Sequence, residues 1–177
     1  MRTVDSIAHI IEQDICSSED VYHEYIERLR EGLLTRDENS QNHFCVYFLP
    51  YNIQVKKVFL VHHKKSGLWL SPGGHVDKGE TVFESLNREI HEELGVKDFF
   101  KDIQIPFFLT ITPIENQKQP CKKHFDVWYL VPTDGKNFII DSQEFFDTKW
   151  LTVEEAKKIV INPQNISALK ILEKIFG

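Results

Sequence analysis

Apolar and polar positions along this chain follow first one period and then another. Ile7, Ile10, Ile11 and Ile15 recur at helical spacing, and so do Tyr22, Ile26, Leu29 and Leu33 behind Ser17 and Ser18, either of which can cap a helix. Residues 1–34 therefore read as two helices, followed by a polar connector, TRDENSQN, at 35–42. From there the pattern shifts to short runs rich in β-branched and aromatic residues: FCVYFL (44–49), KKVFLVHH (56–63), LWL (68–70), IQIPFFLTI (103–111), HFDVWYLV (124–131), NFII (137–140) and FFDTKWL (145–151). The segment ENQKQPCKK, between two of these strand candidates, reads as a solvated loop.

Helical periodicity returns twice. Thr81 and Glu84 form a capping box, so a helix starts near Val82, and Gly95 is placed to end it. Phe83, Leu86, Ile90 and Leu94 supply its buried stripe. A second box, Thr152 with Glu155, precedes a short helix, and Pro163 behind Asn162 opens a last one carrying Ile166, Leu169, Leu172 and Ile175. Strands with helices before, among and after them predict a mixed sheet covered on both faces.

Composition narrows the class. The chain has 177 residues, 41% hydrophobic and 27% charged, which suits one globular unit with a sizeable core. A formal charge of -6 disfavours a broad nucleic-acid surface, which would need many Lys and Arg contacts to phosphate. It leaves room for a small phosphorylated ligand whose charge is matched by divalent cations. Cys16, Cys45 and Cys121 are widely spaced and odd in number, so we read them as free thiols in a reducing, cytoplasmic setting. Asp5, His9, Glu12 and Asp14 interrupt any secretory core at the start, and no apolar run is long enough to span a bilayer.

The segment GGHVDKGETVFESLNREIHEELGV, residues 73–96, changes the picture. On the helix it contains, Glu89, Glu92 and Glu93 fall on one face beside the apolar stripe. Such like charges repel, and a hard divalent cation, which takes clustered carboxylate oxygens, accounts for them better than Arg88, the one basic residue nearby. Arg88 is expected on another face, paired with Glu80 from the preceding loop. Gly73 and Gly74 let backbone approach the same place. The bland alternative is a solvated acidic face.

These residues resemble the Nudix box, Gx5Ex7REUxEExGU with U aliphatic: Gly74, Glu80, Arg88, Glu89, Ile90, Glu92, Glu93, Gly95 and Val96 match without departure. Chance would produce that set in far fewer than roughly one window in a million. A looser likeness runs from about His43 to Ile161. Residues 1–40 resemble the helical lead-in of a bacterial subgroup with a PGGHV loop, giving an N-terminal helical extension (1–40) and a Nudix domain (41–177). The resemblance implies an α/β/α sandwich with a mixed sheet, and a pyrophosphohydrolase that cleaves a diphosphate linkage in a nucleoside diphosphate joined to another moiety. It implies Mg²⁺ or Mn²⁺ held by Glu89, Glu92, Glu93 and the Gly73 carbonyl, with Arg88 and Glu80 bracing the loop against the helix. Glu93 and the late-loop Glu144 are the candidates for general base.

Other residues carry two readings each. His75 faces substrate or metal, or only shapes its loop. Trp69 stacks on a base, or is core. Phe125 and Trp128 point to opposite sides of one strand, so one is core and the other a stacking candidate for substrate. Phe125, His75 and Trp69 are the substrate-binding candidates. His62 and His63 point apart, which argues against a shared metal site. His43 and His124 have no spacing that fixes them near the cleft. The alternatives in class are a nucleotide-sensing regulatory module, with residues 1–40 as a partner or homodimer contact, and an isomerase of the same fold. The isomerase needs an Asn/Cys/His motif that Cys45 lacks.

Overall fold

The computed structural model of the protein describes residues 2–115 and 120–177. Part of the expected ENQKQPCKK loop lies outside them. Helix α1 spans Thr3–Ile10 and α2 Glu19–Glu31, separated by a short 3₁₀ turn. The strands are β1 (Asn42–Asn52), β2 (Lys57–His63), β3 (Leu68–Leu70), β4 (Gly73–His75), β5 (Phe108–Pro113), β6 (Lys123–Pro132) and β7 (Phe145–Leu151). Helix α3 (Val82–Leu94) follows β4, and α4 (Val153–Ile159) and α5 (Pro163–Phe176) close the chain.

The sheet is mixed. β1 and β6 run parallel in full register from Asn42–Lys123 to Tyr51–Pro132, and the remaining pairs are antiparallel. β7 lines one edge of β2 along its length. β1 and β3 must therefore share the other edge. β1 pairs with β2 only at Tyr51–Val58 and Asn52–Lys57 before it leaves, and β3 takes over at Val61–Leu70. β4 then pairs with the freed edge of β1, matching Cys45 to His75 and Tyr47 to Gly73. A cleft opens where β1 and β2 part.

Both faces are covered, as expected for a sheet whose two central strands are buried at most of their residues. On one face Phe44, Val46 and Val127 pack with Ile7, Tyr25, Leu86 and Ile90 from α1, α2 and α3. On the other, Val58, Leu60 and Trp128 pack with Val153, Ala168 and Leu172 from α4 and α5. Among the described residues no helix is long and apolar enough to cross a membrane.

The caps work as the pattern predicts. Thr81, Thr152 and Ser18 each accept a backbone N–H from the first turn, and Glu84 and Glu155 complete their boxes; each such cap is worth about 1 kcal/mol. Gly95 ends α3 in the left-handed conformation. Four details differ. Residues 137–140 form no strand; the Ile139 N–H instead bonds the Leu94 carbonyl, which anchors the segment to the end of α3. β5 begins only at Phe108, and Ile103 and Ile105 are exposed. In α2 the innermost residue is Tyr25, not the Tyr22–Ile26 line, and Leu33 lies past the helix end, exposed. In α3 Val82 takes the buried place expected of Phe83.

Candidate active site

Helix α3 buries two parallel lines. Leu86, Ile90 and Leu94 enter the core, and one step round the helix Ser85, Glu89 and Glu93 are buried beside them. The second line faces β4. The Gly73 N–H donates to Glu93 Oε2 at 2.6 Å. Burial, with Glu89 next to it, pushes the Glu93 carboxyl well above the usual range, and burial also pushes Glu89 up to about 7. Glu92 stands a turn further out with its side chain 56% exposed.

Arg88 does not point away from this group, as the sequence suggested. Its guanidinium grips Glu80 with Nε to Oε1 at 2.9 Å and Nη2 to Oε2 at 3.0 Å. Nη1 donates to Glu89 at 2.6 Å and to Glu92 at 3.1 Å, and Nη2 also reaches the His75 carbonyl at 2.8 Å. One planar fork thus ties the loop, the helix and two of the three clustered carboxylates together. Among the described residues no Lys, Arg or His pairs with Glu93. A buried, acceptor-rich carboxylate without a counter-charge, beside Glu89 and an exposed Glu92, is the donor set a hard divalent cation takes.

The glycines leave the space this requires. A Cβ on Gly73, whose φ is +147°, would stand 2.2 Å from the Val46 carbonyl oxygen. A Cβ on Gly74 would stand 2.3 Å from Glu89 Oε1. The obstacle at Gly74 is the far end of a flexible side chain, so Gly74→Ala should leave stability within about 1 kcal/mol of the parent. It should also push the carboxylate aside and lower kcat/KM by roughly 10²-fold. Steady-state kinetics beside thermal melts check both halves, and unchanged kinetics would remove Glu89 from the site.

These groups line a cavity of about 650 Å³ in the cleft between β1 and β2. Tyr47 and Trp128 stack on its floor, ring centroids 5.0 Å apart. The Asn165 side chain on α5 accepts the Ser71 N–H at 2.7 Å and so fixes the start of the glycine loop. Glu144 lines the mouth, its side chain 55% exposed, with Oε2 3.7 Å from His63 Nε2.

Three expected substrate contacts separate here. His75 lines the cavity, and burial, reinforced by His124 and His43, holds its imidazole down to about 2. Phe125 does not line it. It takes the opposite side of β6 and packs on Tyr25 and Phe44, so alternation gives the cavity side to Trp128. Trp69 likewise turns away, stacked on His62 at 5.1 Å with the Lys149 ammonium 4.7 Å from its ring, while Leu68 and Leu70 face inward. The cavity also gathers residues that the sequence reading left unplaced. Cys45 and His124 line the floor, burial holding His124 down to about 4, and Arg36 sits at the rim. The signal for them was the alternation in His43–Cys45 and in His124–Asp126, which puts each pair on one side of its strand.

The NUDIX domain family model matches residues 41–173. Among curated proteins, Nudix hydrolase 6 of Arabidopsis thaliana is 27% identical over 68% of this chain and 43% of its own length. The m7GpppN-mRNA hydrolase NUDT17 of Xenopus laevis is 28% identical over 69% of this chain and 48% of its own. The chain thus spans less than half the length of these two relatives. Among solved structures, the E. coli dihydroneopterin triphosphate pyrophosphohydrolase superposes with a TM-score of 0.62 at 18% identity, covering 72% of this chain and 92% of that one. The NUDIX domain of Shewanella oneidensis NrtR, solved with ADP ribose, gives 0.56 at 16% identity, covering 76% and 88%. The structural likeness carries the fold, and the sequence match across residues 41–173 makes this chain a member of the Nudix family.

Proposed function

We propose that the protein is a metal-dependent pyrophosphohydrolase that cleaves a diphosphate linkage in a nucleoside diphosphate joined to a second moiety. The observation that carries this reading is the buried Glu89–Glu93 pair on a cavity wall, with no cationic side chain beside Glu93 among the described residues. Glu89, Glu92, Glu93 and the Gly73 backbone would hold Mg²⁺ or Mn²⁺. When bound, the cation supplies charge for the diphosphate and makes a water more acidic.

The chain's own groups do the rest. Arg88 and Glu80 keep the carboxylates oriented, and support of this kind is typically worth 10–100-fold in metal affinity or activity. Glu93 and Glu144 both reach the cavity as proton acceptors for the attacking water. The stacked Tyr47 and Trp128 offer an apolar floor, and Arg36 at the rim offers charge for a phosphate. Every box carboxylate converges on this arrangement, which favours a hydrolase over the nucleotide-sensing module.

The test is phosphate and nucleoside-monophosphate release across a panel of nucleoside diphosphate derivatives, dinucleoside polyphosphates and nucleoside triphosphates, with Mg²⁺ or Mn²⁺. One class should turn over only with metal, and EDTA should stop it. A folded, metal-binding protein silent on the whole panel would overturn the reading.

A further inference from the structure

We propose a second metal site on the cavity floor, built from His43, Cys45, His75 and His124 and suited to zinc rather than magnesium. Three strands bring these residues together. Cys45 on β1 lies opposite His75 on β4, and His43 on β1 lies opposite His124 on β6. Cross-strand partners and residues two apart on one strand share a side of the sheet, so all four side chains project the same way.

The three imidazoles form a triangle, with ring centroids 4.7, 5.0 and 5.2 Å apart. One donor atom from each of the four residues lies within 4.8 Å of every other. Around tetrahedral zinc, with bonds of about 2.0–2.3 Å, such atoms stand roughly 3.3–3.8 Å apart. Small side-chain rotations close that gap.

Two details distinguish this cluster from a chance packing of polar residues. His124 is only 9% exposed, yet neither ring nitrogen has a hydrogen-bond partner among the described residues. Buried ring nitrogens of native proteins nearly always have one. His43 Nδ1 bonds the Asn39 carbonyl at 2.9 Å. A carbonyl can only accept, so Nδ1 carries the proton and Nε2 keeps its lone pair. This is how histidines that ligate metals are usually oriented.

The ligand type decides the ion. Imidazole and thiolate select zinc-like cations, whereas the oxygen-rich Glu89–Glu93 pair in the same cavity suits magnesium or manganese. Four protein donors complete a tetrahedral shell, so the ion is structural and joins β4 to β1 and β6. It thereby fixes the loop that presents Gly73 and Gly74 to α3. Two neighbours compete. Cys121 Sγ lies 3.8 Å from His43 Nε2 and is the alternative thiolate. Arg36 Nη1 stands 3.5 Å from His75 Nδ1, and bound metal would displace it toward Asp77, now 3.8 Å away.

The test loads the full chain, stripped of metal, with Co²⁺ as a spectroscopic stand-in for zinc, and then with Zn²⁺. One equivalent of Co²⁺ should give a thiolate charge-transfer band and tetrahedral visible bands. A hundredfold excess of Zn²⁺ over its Kd should displace Co²⁺ and raise Tm by roughly 5–10 °C. Millimolar Mg²⁺ should not remove the bands. Cys45→Ser should lose the charge-transfer band, and His124→Asn, a milder change in the core than Ala, should weaken Co²⁺ binding at least tenfold. Glu93→Gln should keep every band. A native protein without the thiolate band overturns the site. A band that survives Cys45→Ser assigns the thiolate to Cys121 and overturns the ligand set. Bands lost in Glu93→Gln would mean that the carboxylates hold the ion.

Discussion

Glu93→Gln should lose turnover by on the order of 10²–10⁴-fold, whether the carboxylate holds the cation or takes the proton. In the same variant the metal-free protein should become more stable at neutral pH. The second effect follows from burial. In the folded chain the Glu93 carboxyl is held well above its ordinary value of 4.5 by burial and then by Glu89, so it keeps a proton that the unfolded chain releases. A group whose folded pKa is raised favours folding while protonated, and that advantage drains away as pH climbs above the unfolded value. Glu89, pushed up to about 7, loses its share between about 4.5 and 7, and Glu93, raised by burial and by Glu89, loses its own as pH climbs above 4.5. Gln is neutral throughout and can still accept the Gly73 N–H. Melting curves in EDTA should therefore coincide for the two proteins near pH 4.5 and separate toward pH 8, with the variant higher. Saturating Mg²⁺ should reverse the order, because only the parent binds it fully. Parallel curves in EDTA would mean that Glu93 is not buried as described.

Arg88→Ala is the other large effect. The side chain is 22% exposed and serves Glu80, Glu89, Glu92 and the His75 carbonyl. Its removal leaves Glu89 buried with no counter-charge and cuts the loop free of the helix. Breaking a fully buried pair costs about 3–5 kcal/mol. The partial exposure here brings the expectation to roughly 2–4 kcal/mol, or a fall in Tm of about 5–15 °C. Activity should fall by at least 10–100-fold in the same variant. Arg88→Lys keeps a charge but loses the planar fork, so it should recover part of the stability and little of the activity. Equal rescue of both by lysine would show that charge alone matters there.

Some of this was legible in the sequence, for physical reasons. Caps, the glycine stop and the period of α3 are local, so Thr81, Glu84 and Gly95 mark the helix on which the carboxylates sit. The Arg88–Glu80 pair was expected, and its reach to Glu89 and Glu92 was not, because a long fork can bridge faces that helix geometry alone separates. Strand alternation divides Phe125 from Trp128. It does not say which side holds the cavity when both sides of a sheet are covered, and the inner helices claimed Phe125. The His43, Cys45, His75 and His124 cluster depends on register across β4, β1 and β6. No spacing along the chain encodes that. The NFII segment is apolar enough for a strand, but its Phe138 packs on Phe59 and Trp150 without joining a ladder.

The helical lead-in has a consequence for how the chain comes to be folded. The Tyr25 hydroxyl on α2 sits between two backbone carbonyls, at 2.9 Å from Thr110 and 2.8 Å from Asp126, which lie 85 and 101 residues later in the chain. During synthesis α1 and α2 emerge long before the strands they cover. Ile7, Ile10 and Tyr25 then wait for the strand surface on which they dock in the folded chain. Contacts this distant in sequence slow folding, because loop closure must precede the reward. The early helices thus lock down only when β6 arrives.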